Sequence, residues 1–245
     1  GVADDRFYVC GGWTGTQPLD LVEVYHFSKG IWQDEVPMQQ CRFSAGGGVV
    51  RGRMMVSGGW DGGRALRTAE SFDESKGCWE SLPPMSLERG HSAAAILNGC
   101  LYMCGGWDGV SPTAEVERWD PFLGKWQQLP AMHRALARAT AAPASGLLIV
   151  CGGWAGQQAL TTVASFDPSS EVWSLLVPLQ QARAGASASG IGSKVFISGG
   201  WDGQDVIDSV ECFDLNFDYW EEVQPLTVAR RGAVSFMAEF RPTGS

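Results

Sequence analysis

The chain has 245 residues, 44% of them hydrophobic and 18% charged, with 32 glycines, 11 tryptophans and a formal net charge of −9. That apolar content supports a packed core and excludes wholesale disorder. The acidic balance argues against a nucleic-acid binder, which needs a basic face, and no stretch approaches the roughly 18 apolar residues that span a bilayer. Because the sequence starts at Gly1 and ends in Thr-Gly-Ser, a cloning remnant at the end and absent flanking segments are expected.

Taken in chain order, the first apolar run, "RFYVCGG", ends in Gly11-Gly12 and is predicted as a buried strand. An alternating segment then ends at Tyr25, and a turn leads to a strand carrying Trp32. A segment of small residues, "SAGGGVV", opens the next unit and is followed by "RMMVSGG", a third strand ending at Phe72 and a fourth carrying Trp79. The same succession returns with "HSAAAIL", "ATAAPAS" and "ASASGI" as openings, and "AVSFMA" begins once more near the C-terminus. The Gly-Gly pairs begin at 11, 58, 105, 152 and 199, a constant step of 47. Three aromatic columns keep that step and hold all the tryptophans: Trp13, Trp60, Trp107, Trp154 and Trp201; Tyr25, Phe72, Trp119, Phe166 and Phe213; and Trp32, Trp79, Trp126, Trp173 and Trp220. A fixed period of this length means one supersecondary unit copied five times around a shared core.

Four short strands per unit predict an all-β protein, a five-bladed β-propeller with four-stranded antiparallel blades, occupying residues 1–245 as a single domain. The small first strands suit the crowded axis. Five steps of 47 put residue 236 in phase with residue 1, so the C-terminal strand is expected to join the N-terminal blade and close the ring as a monomeric domain. A piece of a longer array remains the alternative.

Gly-Gly, the aromatic-Asp ending the third strand ("SFDE", "RWDP", "SFDP", "CFDL") and the second Trp resemble kelch repeats over essentially the whole chain. The "WD" in "GGWDG" is not the WD40 signature, because it follows the glycines instead of closing a strand. Thr14 and Ala155 also replace its Asp in two copies. The resemblance implies a protein-interaction module that recognises a short, acidic segment on one loop face, as the substrate-recognition part of a ubiquitin-ligase adaptor would. A carbohydrate- or small-molecule-binding propeller is the alternative, and an enzyme on a kelch scaffold comes third.

No motif for catalysis, cofactor or metal stands out, and none of the three is expected. His26, His91 and His133 fall in different repeat columns without a spaced His or Cys partner. "GGWDGG" lacks the Lys-Ser/Thr of a phosphate loop. The seven cysteines show no CxxC, and Cys10, Cys104 and Cys151 share a column with Ser57 and Ser198, which marks a small packing position. Reduced thiols, and a cytoplasmic or nuclear protein, are expected.

Two columns of opposite charge covary. Arg42, Arg89, Arg183 and Arg230 precede the first strands, and Glu70, Glu117, Glu211 and Glu23 sit on the third. Leu136 and Ala164 replace both members in one blade at the same offset of 28. The expectation is a structural, partly buried, bidentate ion pair in each blade that keeps both charges, with the Gly-Gly pair letting the arginine cross the strand between; a grip on an acidic peptide by the same arginines, as the resemblance implies, is the alternative. The ligand-binding candidates are then the arginines outside the column, Arg64, Arg67, Arg134, Arg138 and Arg231. Beside them lie the variable polar residues Gln17, Ser111, Gln158, Gln204 and Asp205. The tryptophan after each glycine pair is expected to pack structurally against the neighbouring blade, an exposed ring that stacks on a sugar or a peptide being the alternative, and the second tryptophan column is expected to be structural.

Overall fold

A computed structural model describes residues 2, 3 and 5–235, all in strands, turns and irregular segments. Five sheets of four antiparallel strands form a propeller ring. The first holds β1 (Val2–Ala3), β2 (Arg6–Trp13), β3 (Pro18–His26) and β4 (Ile31–Glu35). The second holds β5 (Gly46–Val50), β6 (Arg53–Ser57), β7 (Ala69–Asp73) and β8 (Cys78–Leu82). The third holds β9 (Ala93–Leu97), β10 (Cys100–Cys104), β11 (Val116–Asp120) and β12 (Lys125–Leu129). The fourth comprises β13 (Thr140–Ala144), β14 (Leu147–Cys151), β15 (Val163–Asp167) and β16 (Val172–Leu175). The fifth comprises β17 (Ser187–Ile191), β18 (Lys194–Ser198), β19 (Val210–Asp214) and β20 (Tyr219–Val223).

Each sheet runs from the axis outward in chain order, and the composition of the strands follows that gradient. The innermost strands β5, β9, β13 and β17 stand side by side around the axis, where a β-carbon on Gly46 would overlap Ala94 and Met103. The second strands are apolar because both faces are covered: Leu101, Met103, Leu148, Ile149, Val195 and Ile197 are fully buried. On the outer pair of strands the two aromatic columns meet as cross-strand partners, Phe72 with Trp79 and Phe166 with Trp173. Their ring centroids lie 5.5 and 5.0 Å apart.

The second tryptophan column joins neighbouring sheets. The indole N–H groups of Trp79, Trp126, Trp173 and Trp220 donate to the carbonyls of Val36, Pro83, Pro130 and Val177, each in the preceding blade, at 2.8–2.9 Å. The glycine pair serves the same junction. Gly59 N–H donates to the Arg89 carbonyl and Gly106 N–H to that of Leu136. A β-carbon on Gly58 or Gly105 would overlap those same carbonyls, and the first glycine of every pair lies at φ between 60° and 67°. The pair therefore admits the incoming backbone of the next blade, rather than only a passing arginine side chain.

In three blades the arginine reaches across the second strand to the glutamate on the third strand of its own sheet. Arg42, Arg89 and Arg183 contact Glu70, Glu117 and Glu211 at 2.7–2.8 Å, with every one of these side chains no more than 3% exposed. The pairs are wholly buried and not bidentate. One carboxylate oxygen takes the guanidinium while the other accepts a backbone N–H, from Gln39, Ser86 or Gln180. The guanidinium also donates to the carbonyls of Gly58, Gly105 and Gly199. Where both charges are missing, Leu136 and Ala164 are buried in one apolar cluster with Met132 and Leu160. The fourth expected pair does not form: Arg230 and Glu23 are both exposed, and no ion pair joins them among the described residues.

That missing pair lies at the seam between the fifth and first sheets. There Trp13 and Trp32 are 47% and 52% exposed. The edge of β2 facing the axis pairs with β1 through Val2 and Ala3. Residues 231–235 carry no strand, and the remainder of the expected closing strand, from 236 on, lies outside the described residues.

Candidate functional site

Two loop sets converge at one end of the axis. One follows the glycine pairs, and its turn is built by the residue after the tryptophan. Asp61, Asp108 and Asp202 each accept two backbone N–H groups at 2.7–2.9 Å from residues two and three further on. Those bonds hold the three carboxyls below their usual range, the largest contributions coming from the N–H groups of Gly63, Ser111 and Asp205. Thr14 serves the same turn through its hydroxyl. The glycine that follows, such as Gly109, lies at φ 93° to 116° in all five copies. The acid of "GGWDG" is thus a turn builder.

The other loop set precedes the innermost strands. There Ser44, His91, Arg138, Gly185 and Gly232, spaced by 47, all lie in the left-handed region, at φ 51°, 54°, 56°, 66° and 70°. Each N–H from His91 onward donates to the carbonyl of the preceding member, at 2.7–3.0 Å, forming a collar around the axis. Glycine adopts this backbone freely, whereas an L-residue pays about 1–2 kcal/mol for it. His91 and Arg138 thus hold strained places that glycine fills in two other copies. Backbone strain of this sort concentrates at functional positions.

Above the collar is a cavity of 440 Å³ lined by Trp60, Trp107, Trp154, Trp201, Ala137, Ala184, His91, Arg138 and Arg231. The Trp60 indole lies over the segment that leads into the next blade because the residue beneath it is small. A β-carbon on Gly90 would overlap the Trp60 ring, and Trp107 and Trp154 bridge to Gly90 and Ala137 through the backbone. Trp107 and Trp154 sit 5.6 Å apart, tilted by 44°, and make a continuous aromatic wall over two blades. The Trp60 indole nitrogen is buried without a hydrogen-bond partner. Burial, and secondarily the charge of Arg138, pushes the His91 imidazole down to about 4, so it is neutral near pH 7.

Of the expected ligand residues, the structure brings only Arg138 and Arg231 to this cavity. Arg64, Arg67, Arg134, Gln17, Ser111, Gln158, Gln204 and Asp205 are exposed on the surrounding loops, outside the lining. Arg64 lies 3.6 Å from Asp61, and the backbones of Ser111 and Asp205 complete the acid-capped turns. Four members of the first tryptophan column, expected to be structural, wall the cavity; Trp13, at the seam, does not. His91 was missed as a lining residue; the signal was its column, in which two copies read Gly.

All seven cysteines are free thiols. Burial pushes Cys104 up to about 12, which makes it a poor nucleophile. Among the described residues no three His, Cys, Asp or Glu side chains come together as a metal site, and no helix is long and apolar enough to cross a membrane.

The kelch-motif family model matches residues 1–39, 41–86, 88–133, 135–180 and 182–227, one match per blade. No curated protein matches the chain. Among solved structures, that of YjhT superposes with a TM-score of 0.83 at 12% identity, over 96% of this chain and 85% of YjhT. A likeness at that identity speaks to the fold alone.

Proposed function

Because this chain belongs to the kelch-motif family, whose propellers are common scaffolds for protein interaction, we propose that it is a binding module that takes a short acidic segment of a partner protein in the tryptophan-walled mouth. One observation carries this reading. In a protein of net charge −9, the cavity lining holds two arginines and no carboxylate. The local field there attracts an anion, while the acidic remainder of the surface repels it elsewhere. Four indoles and two alanine methyls supply apolar area, and neutral His91 adds a polar group.

The proposal is of binding and not of catalysis. The lining holds one imidazole and no hydroxyl, thiol or carboxylate side chain to pair with it. A cytoplasmic or nuclear setting belongs to the same proposal, supported by the seven unpaired thiols.

Selection from a random peptide library on beads tests it. Peptides enriched by the protein should carry Asp or Glu, and should lose at least tenfold in affinity with Arg138→Glu/Arg231→Glu. Enriched peptides without acidic residues, or equal retention by the variant, would refute it.

A further inference from the structure

The shape and chemistry of the mouth select more narrowly than charge alone. A lone Asp or Glu side chain is too small for a 440 Å³ cavity and would leave most of the indole surface in contact with water. Every charged group in the lining is cationic, and the neutral N–H groups of the indoles are donors. The indole faces alone would attract an ammonium group, but Arg138 and Arg231 repel one, and the lining lacks the side-chain carboxylates and amides that read the hydroxyls of a sugar. The wall formed by Trp107 and Trp154 is itself too close-set, at 5.6 Å, to admit a ring between its members. A flat group would lie over both, gaining about 0.5–1.5 kcal/mol per aromatic contact beyond the area it buries. Arg138, on the collar, and Arg231, next to the collar residue Gly232, enter the same cavity from different repeats. Two guanidinium forks suit a compact dianion with several acceptor oxygens better than a single carboxylate.

We propose that the cavity binds an aryl phosphate, presented as the side chain of a phosphorylated tyrosine, with its ring on the Trp107–Trp154 wall and its phosphate between Arg138 and Arg231. This rests on the peptide-binding reading above and specifies its central residue. The strained backbone at Arg138 fits the role. Glycine is used at the same place in two other copies, so arginine is kept there at a cost to stability.

Isothermal titration with four peptides Gly-Ser-Ala-X-Ala-Ser-Gly tests the assignment, where X is phosphotyrosine, tyrosine, phosphoserine or glutamate. Phenyl phosphate, inorganic phosphate and p-cresol serve as small probes. The phosphotyrosine peptide should bind at least tenfold tighter than the other three, and phenyl phosphate at least tenfold tighter than inorganic phosphate or p-cresol. Arg138→Gly, Arg138→Glu/Arg231→Glu and Trp154→Ala should each remove most of that preference. Arg138→Gly keeps the test free of folding failure, since its backbone conformation suits glycine. Equal binding of the phosphoserine, glutamate and phosphotyrosine peptides, lost in the double charge reversal, would overturn the aryl assignment and leave the acidic-peptide reading standing. Binding of phenyl phosphate without the phosphotyrosine peptide would overturn the peptide source. If no peptide binds here and the bead library yields none, both readings fall.

Discussion

Replacing Arg89 by leucine removes the charge partner of Glu117, a carboxylate only 2% exposed, together with guanidinium bonds to the carbonyls of Gly105 and Glu115. Glu117 keeps a single partner, the Ser86 N–H. Breaking a buried pair from one side costs about 3–5 kcal/mol, which in a domain of this size lowers the melting midpoint by roughly 10 °C. The protein contains its own control. In the fourth blade Leu136 and Ala164 fill the same two places at 5% and 8% exposure, inside an apolar cluster. Arg89→Leu/Glu117→Ala recreates that arrangement in the third blade and should recover all but about 1–2 kcal/mol, because swapping a buried pair for apolar groups is often near neutral. Thermal and urea denaturation followed by circular dichroism would compare the two single variants with the double. A double variant that falls as far as the singles combined would refute the view that the pair is a replaceable junction.

Two further outcomes follow from the mouth. Arg138→Gly should melt no earlier than the parent, because the relief of left-handed strain, about 1–2 kcal/mol, offsets the roughly 0.5–1 kcal/mol that glycine costs in chain entropy; Arg138→Val should melt earlier. The imidazole of His91 has its pKa pushed down from 6.5 to about 4, so between those values the unfolded chain binds more protons than the folded one. Its contribution to stability is then complete above about pH 6.5 and is lost as the pH falls toward 4. His91→Gln should flatten the pH dependence of the urea midpoint in that window, and an unchanged slope would contradict it.

Most of the architecture is written in the sequence because the repeat reports radial position directly. Small residues mark the axis, unbroken apolar runs the second strand, and paired aromatics the outer strands. The loss of Arg and Glu together at Leu136 and Ala164 points in the sequence itself to a pairing between the two columns. What stayed hidden depends on which way a side chain points. Trp60 and Trp79 look equally fixed in sequence, yet Trp79 turns its N–H to Val36 in the neighbouring blade while Trp60 lies open to the cavity. Constancy across copies therefore did not distinguish a packing residue from a wall of the mouth. Arg138 and Arg231 were picked out for lying outside the arginine column. Arg64, Arg67 and Arg134, chosen on the same ground, are exposed and lie outside the cavity lining. At the seam the 47-residue period does not carry over to side-chain pairing: Arg230 and Glu23 are both exposed, with no ion pair between them among the described residues.

The two tryptophan columns give the most direct test of the central claim, that one builds the ring and the other receives a ligand. In a ¹H–¹⁵N spectrum of the indole groups, addition of a library-selected acidic peptide should shift the signals of Trp60, Trp107, Trp154 and Trp201. Those of Trp79, Trp126, Trp173 and Trp220, tied to backbone carbonyls, should stay in place. Shifts confined to the second set, or none in the first with the peptide bound, would contradict the account.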